Sequence, residues 1–421
     1  MSIQQIRLAL LCSVFLTVGL KAQSPTETSM NEWVKSLTIR LKSDWQQPPV
    51  TELNGDARLE IKFDFLDLNI HYFYYKIIHC NADWRPSDLS EPEFLDGFNN
   101  QPIEERKVSF NTHTNYTNYR FELPNDNIRF RISGNYEVQI YDNNDPEKIV
   151  ARARFSVFEK QVNLFPSLKT ITDIDYNKAH QQMDLQIDTR NYPIRNPGME
   201  MKVIVNQNSR TDNQVALSQP TFTRGNLLIF EHQKSLIFEA GNEFRRFEMV
   251  TYRYNGLHVE RIAFIQPVYH AFLSKDAIRA FRSYSFDRDQ NGRFYIRNSE
   301  GRDNDNEADY FDVHFSLDAP SPVGNGKVYL IGEFNGYRPQ SDFELSYDPA
   351  QRCYAKNIRL KQGAYNYQYL YLPDESNRGT TAPTDGNFYE TENEYTVKVY
   401  HRAPGERYDR LIGYSFVKSI N

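Results

Sequence analysis

Apolar and polar residues alternate along most of this chain with a period of two, the spacing of a strand that buries one face. Leu37, Ile39 and Leu41 alternate with Thr38, Arg40 and Lys42, and Leu59, Ile61, Phe63 and Phe65 repeat the pattern. In the next run Phe73, Tyr75, Ile77 and His79 fall on one face, with Tyr74, Lys76, Ile78 and Cys80 on the other. Arg129 to Ile132, Tyr136 to Tyr141 and Ala151 to Phe158 follow, with a turn signal at Ser133-Gly134-Asn135. Short strands punctuated in this way predict a Greek-key, Ig-like sandwich over residues 33–158.

The pattern continues after a joint from Gln161 to Ser167 that holds Pro166. Met183, Leu185 and Ile187 form one strand face, and Met199, Met201, Val203 and Val205 another. Leu227 to Phe230, Phe244 to Tyr254 and Val259 to Ile265 complete a second expected sandwich, 161–267. A third, 269–402, draws on Phe294 to Ile296, Tyr310 to Leu317, Lys327 to Ile331, Tyr354 to Leu360, Tyr365 to Tyr371 and Tyr395 to Tyr400. Lys275 to Phe281 reads as a short helical turn. The tail, 403–421, is apolar enough between Tyr408 and Phe416 to return as a closing strand or to pack on a neighbour. The expected class is all-β: three consecutive Ig-like or early-set-like β-sandwiches. The joints lack Gly/Ser spacers, so the arrangement should be semi-rigid.

Composition narrows the picture. A chain of 421 residues suits three domains, and 28 Tyr with 28 Phe favour strands. A mean hydropathy of -0.68 excludes an integral helical membrane protein. The net charge of -6 supplies no basic field for nucleic acid. Residues 1–22 read as a secretory signal peptide. Arg7 is its positive end, Leu8 to Leu20 its apolar region, and Leu20-Lys21-Ala22 its cleavage site. The apolar run is short for a bilayer span, and Leu11 stands before Cys12 where a lipidation box needs a small residue. Cleavage leaves Cys80 and Cys353, which lie in different expected domains and read as buried free thiols.

The stretch from Tyr74 to Phe98 is where an identity emerges. A strand breaks at Asn81-Ala82-Asp83, passes Trp84, and enters a long acidic loop carrying Asp88, Glu91, Glu93 and Asp96. Trp84 reads as a buried anchor for that loop. The run HCNADWRPSDL, with SFNTHTNYTNYRFELPND and SGNYEVQIYDNND after it, is similar to the first domain of the type 9 secretion system plug family of the Bacteroidota. EAGNEFRRFE, Glu239 to Glu248, resembles a later part of the same family. The resemblance implies a periplasmic protein, held at the outer membrane by a protein partner. It would close the periplasmic mouth of the large translocon barrel between transport events.

Several runs could carry other chemistry. Asp287-Arg288-Asp289-Gln290-Asn291-Gly292 has the spacing that opens an EF-hand calcium loop, but the twelfth position is Asn298 and a hairpin turn on Asn291-Gly292 explains the same residues. Gly332-Glu333-Phe334-Asn335-Gly336-Tyr337 resembles the turn of glycogen-binding, early-set modules, which usually have Trp where this chain has Tyr337. It supports the alternative function, a periplasmic carbohydrate-binding protein using the third domain. His79 beside Cys80, with Asp83, invites a thiol–imidazole reading, yet adjacent strand residues face opposite ways. The acidic loop from Asp88 to Asp96 and the run Arg302-Asp303-Asn304-Asp305-Asn306-Glu307 read as solvated loops or as elements that register a docking surface. There is no HExxH, GxSxG, CxxC or phosphate loop. No catalytic, cofactor-binding or metal residue is expected, and no enzyme.

Overall fold

The computed structural model describes residues 31–143 and 145–419; the expected signal segment, 1–22, lies outside the described residues. The chain is all-β, and its three α-helices among the described residues, Glu91–Phe94, Pro197–Glu200 and Asn304–Glu307, are one turn each. Among the described residues no helix is long and apolar enough to cross a membrane.

The alternation of the first segment forms two facing sheets. One runs Val34–Leu41, Leu59–Phe65, Thr117–Leu123, Glu105–Val108; the other runs Val50–Glu52, Asp145–Phe158, Gly134–Asp142, Phe73–Cys80, Gln101–Pro102. Leu59, Ile61 and Phe63 meet Phe73, Tyr75 and Ile77 in one core. This is sandwich packing of two inner faces.

A second core joins residues from two distant parts of the chain. Asn163–Lys169, His180–Asp188, Leu227–Phe230 and Phe222–Arg224 make one sheet. The facing sheet is Val215–Leu217, Met201–Gln207, Glu394–His401, Arg410–Lys418. Met201↔His401 and Val205↔Val397 fix an antiparallel register that puts Val397 and Val399 against Met183 and Leu185. Strand pairing therefore does not follow the boundary expected between 267 and 269. Glu394–His401 belongs to the second core, while Arg245–Met249 and Val259–Ile265 pair within the third. In the tail, Arg410–Lys418 is a strand on Glu394–His401, and Leu411 packs with Ala82 of the first segment.

The third core is wrapped by one ten-stranded sheet that runs from Arg245–Met249 through Gly363–Pro373, Gly326–Ile331 and Tyr310–Asp318 to Val259–Ile265. Phe247 and Val259, from opposite ends of that order, share the core with Val328 and Val313, so the sheet curls over itself. The helical turn expected near Lys275 is absent. Asp276–Ala277 is instead a short strand parallel to Tyr310–Asp318, and Asp276 reaches Arg245, Tyr367 and Tyr369 by hydrogen bonds that a helix would break. Cys80 and Cys353 are buried free thiols.

Candidate functional site

The strand Phe73–Cys80 buries Phe73, Tyr75, Ile77 and His79 on one face, as its alternation predicts. His79 is held neutral: burial lowers its pKa to about 4, Nδ1 lies 2.8 Å from Ser87 Oγ and Nε2 3.2 Å from the Ser133 carbonyl. Gly134 is required beside it, because a Cβ there would meet His79 Nε2 at 2.2 Å. Cys80 sits on the opposite face, and burial pushes its thiol up to about 12. The two side chains form no catalytic pair.

Beyond Cys80 the chain turns onto the second core. Asp409, 1% exposed, accepts hydrogen bonds from the Ala82 N–H (3.0 Å), Arg402 Nε (2.9 Å) and Lys202 Nζ (3.1 Å). Arg402 also donates to Asn81 Oδ1 (2.6 Å). Trp84 differs from expectation. It has φ 65° and is half-buried, and its ring is covered by Arg154 at 4.9 Å from the first core and Lys398 at 5.7 Å from the second. The ring is a cation–π rivet between two sheets. The acidic loop that follows is anchored by other means. Ser90 and Glu93 form a capping box, Phe94 enters the first core, Arg407 pairs with Glu93, and Arg407 donates to the Asp88 carbonyl (3.0 Å).

The second acidic run also docks within the chain. Asp303 pairs with Lys107 (2.6 Å), the Phe110 N–H donates to the Asn306 carbonyl (2.8 Å), and Asp309 accepts from the N–H groups of His113 (2.7 Å) and Thr114 (3.0 Å). Beneath it lies a buried ion pair, Lys361 Nζ to Asp64 Oδ2 at 2.6 Å, with Tyr310 Oη (2.6 Å) and Asn118 Nδ2 (2.7 Å) completing the carboxylate's partners. The registering role proposed for this run is intramolecular. It seats the third core on the outer face of the first.

The glycogen-binding-like turn is covered rather than displayed. Glu333 accepts a forked pair of hydrogen bonds from Arg40, which also donates to the Phe294 carbonyl (2.8 Å). Tyr337 is 7% exposed and donates to the Asn291 carbonyl (3.0 Å), so the ring that would stack on a sugar is not available. The carbohydrate-binding alternative finds no support in this geometry.

Residues 287–292 do not form a calcium loop. Asp287 pairs with Arg246 (2.5 Å), while Asp289 turns inward to accept the N–H groups of Asn291 (2.7 Å) and Phe244. Among the described residues no three His, Cys, Asp or Glu side chains converge for a metal. Asn291 and Gly292 make the expected left-handed turn, but no strand precedes it, so it is not a hairpin. Burial pushes the Asp289 carboxyl up to about 7, with Glu243 adding to the effect. A carboxyl raised from 3.8 to about 7 costs no stability at pH values below its unfolded pKa and the full penalty above 7. Stability should therefore fall from pH 5 to pH 8, and Asp289→Asn should flatten that fall. Urea midpoints at the two pH values test this; parallel profiles for parent and variant would refute it.

These elements define a class: an all-β scaffold of several sandwiches, bolted together by buried polar contacts. The chain belongs to the type 9 secretion system plug family, whose description "Type 9 secretion system plug protein 1st domain" matches residues 34–159. It is also similar to a hypothetical protein of known crystal structure from Parabacteroides merdae ATCC 43184. Identity is 42% over 93% of this chain and 98% of that one, with a TM-score of 0.91. An alkylpurine DNA glycosylase, AlkC, from Pseudomonas fluorescens, bound to DNA with an abasic-site analogue, matches at 12% identity over 30% of this chain and 29% of that one. Its TM-score of 0.16 carries no argument. No curated protein matches. Family membership gives the chain a role related to type 9 secretion, a place in the cell envelope, and a structural character.

Proposed function

We propose that this protein docks on the periplasmic mouth of the type 9 secretion translocon barrel and seals it between transport events, without catalysis. Family membership is the observation that carries this reading. The geometry is in keeping with it. A plug must resist deformation across a wide opening, and here single charged residues of both acidic runs, Glu93 and Asp303, pair with Arg407 and Lys107 from other parts of the chain.

One exposed loop carries large apolar side chains on a firm base. Phe281 is 93% exposed and Phe286 57%, with Arg282 and Arg288 beside them. The base of this loop is fixed by Arg279 to Asp385 (2.9 Å) and by Tyr284 Oη to Glu243 (2.6 Å). Exposed rings and arginines on a pre-organised loop are what interface hot spots are made of. The loop is our candidate for a contact with the barrel, within an interface that must exceed about 1,000 Å² to be specific.

The test has two arms. Parent protein should co-purify with the barrel from outer-membrane extract, and Phe281→Asp with Phe286→Asp should weaken that recovery at least about tenfold, a loss of 1.4 kcal/mol or more. A deletion strain should admit a large antibiotic, and removing the barrel as well should restore tightness. A tight single mutant in which export stops would overturn the gating role and make this protein an essential transport component.

A further inference from the structure

The ten-stranded sheet ends on Val259–Ile265, and among the described residues no strand pairs with the second edge of that strand. An open edge offers a row of backbone donors and acceptors to any passing chain, and proteins blunt it with charge, proline, brevity or a bulge. Other edge strands of this molecule are blunted in these ways. Glu105–Val108 reads Glu-Arg-Lys-Val, Asn163–Lys169 contains Pro166, and Phe222–Arg224 has three residues. On Val259–Ile265 the protection is confined to the first end, where the register shifts between Val259 and Arg261 and Asn255 Nδ2 donates to the Glu260 carbonyl (2.7 Å). Beyond it, residues 261–265 read Arg-Ile-Ala-Phe-Ile, with no proline, no glycine and one charge.

Pairing with Val268–Leu273 sorts these side chains by face. Ile262 stands opposite Ala271 and packs on the third core, and Phe264 stands opposite Tyr269 on that same inner face. Arg261, Ala263 and Ile265 alternate onto the outer face, with the Arg261 guanidinium 4.1 Å from the Phe272 ring. The inner face is built up around Phe264. Its ring lies 5.1 Å from Tyr269 and 4.8 Å from His113 of the first segment, and Tyr252 stacks on Tyr269 at 5.2 Å. Even so, Phe264 and Ile265 are each 48% exposed. A further strand would lie about 4.8 Å from this one, close enough for its inward side chains to cover Phe264 and Ile262. Arg261 is exposed, so a carboxylate beside it completes the charge pattern of the edge.

We propose that residues 261–265 are a docking edge for an extended segment of a partner protein, which adds to the sheet as a strand. The segment carries two apolar residues at alternate positions, beside Ile262 and Phe264, and an acidic residue beside Arg261. Main-chain hydrogen bonds along the edge supply affinity, and the alternate side chains supply specificity.

The probe is a fluorescently labelled synthetic peptide whose middle reads Val-Leu-Thr-Val-Asp, written to run antiparallel to residues 261–265 so that its acid falls beside Arg261. Polarisation against the full chain should show saturable binding, weakened about tenfold when the peptide's Asp is replaced by Lys. Replacing its Leu-Thr by Pro-Pro should abolish binding, whichever of the two N–H groups points at the edge. Arg261→Glu, an exposed change that should leave the melting temperature as it is, should reverse the preference between the Asp and Lys peptides. The Pro-Pro arm needs no protein variant. The proposal is overturned by the absence of saturable binding, by a Pro-Pro peptide that binds as well as the first, or by a preference that Arg261→Glu leaves unchanged. Sedimentation of the parent alone should show a monomer. A dimer that Phe264→Asp dissolves would assign this edge to a second copy of the chain and overturn the proposal as well.

Discussion

Lys361→Met should destabilise the protein by about 3–5 kcal/mol, the cost of removing one member of a buried ion pair. Lys361 and Asp64 are 2% and 0% exposed at the side chain. Burial lowers the lysine pKa, with the charge of Lys62 adding to it, and Asp64 acts against that effect. Without the ammonium, Asp64 retains Tyr310 and Asn118 as donors but no positive charge. The damage should be local in origin and wide in effect. Asp64 lies on the strand Leu59–Phe65 of the first sandwich, and Tyr310 and Lys361 lie on Tyr310–Asp318 and Cys353–Lys361 of the third sheet, so their contact is part of what seats one on the other. Asp64→Asn added to Lys361→Met should recover a substantial part of the loss, since a neutral amide still bonds Tyr310 without a stranded charge. Chemical denaturation of parent, single and double variants measures this. A single variant as stable as the parent would show that the pair is worth nothing net. A double variant no better than the single would show that packing, not charge, was lost.

This pair also shows what a local reading of the chain can and cannot see. Asp64 stands between Phe63 and Phe65 as the polar half of an alternating strand, and alternation correctly says that it faces away from Phe63's core. Alternation says which side of a sheet a residue occupies. It does not say whether water or another sheet lies there. The same limit hid Arg40, Arg152 and Arg154, each an ordinary solvent-side residue by pattern and each covered where the cores meet. The turn at Gly332 to Tyr337 was visible as a turn, but its cover, Arg40, comes from the first strand of the described chain.

Partner choice between strands was the other blind spot. Glu394–His401 alternates as clearly as any strand, and nothing in its own residues points past the nearby Gly363–Pro373 to Met201–Gln207. That choice is made by the match of Val397 and Val399 to Met183, Leu185 and Val203 in a shared core, a long-range packing property. Short edge strands such as Val50–Glu52 and Phe222–Arg224 are too brief to show a period. The stretch from Tyr74 to Phe98 lies at a joint between two cores, and its turn residues and Trp84 are unusual in kind. Their partners, Asp409 and Lys398, carry no such mark.

Arg245→Met should be at least as damaging as the loss of Lys361, and its penalty should depend on pH. Arg245 donates to Asp276 Oδ1 (2.7 Å), to Asp385 Oδ1 (2.6 Å) and to the Ala277 carbonyl (2.8 Å), and it covers the Tyr369 ring at 5.2 Å. Both carboxylates are buried, 5% and 0% exposed at the side chain. Burial acts to raise the Asp276 pKa, yet His258 and Arg245 pull it down to about 2. In the parent Asp276 is thus lower than its unfolded value, and its contribution is present above pH 3.8 and lost only as pH falls toward 2. Replacing the guanidinium shifts the balance toward burial, with the His258 ring (3.1 Å) and the Tyr367 hydroxyl left as the opposing partners, so the folded pKa of Asp276 moves up and the stability it contributes at high pH shrinks. Arg279 still reaches Asp385 at 2.9 Å, so the stranded charge is Asp276's. Urea denaturation at pH 5 and pH 8 should show a deficit of about 3–5 kcal/mol at pH 8 that shrinks at pH 5. Asp276→Asn in the same background should remove the difference between the two pH values. A deficit that is equal at both would mean that the arginine acts through packing over Tyr369 and its bond to the Ala277 carbonyl, and that the charge balance of this cluster contributes little.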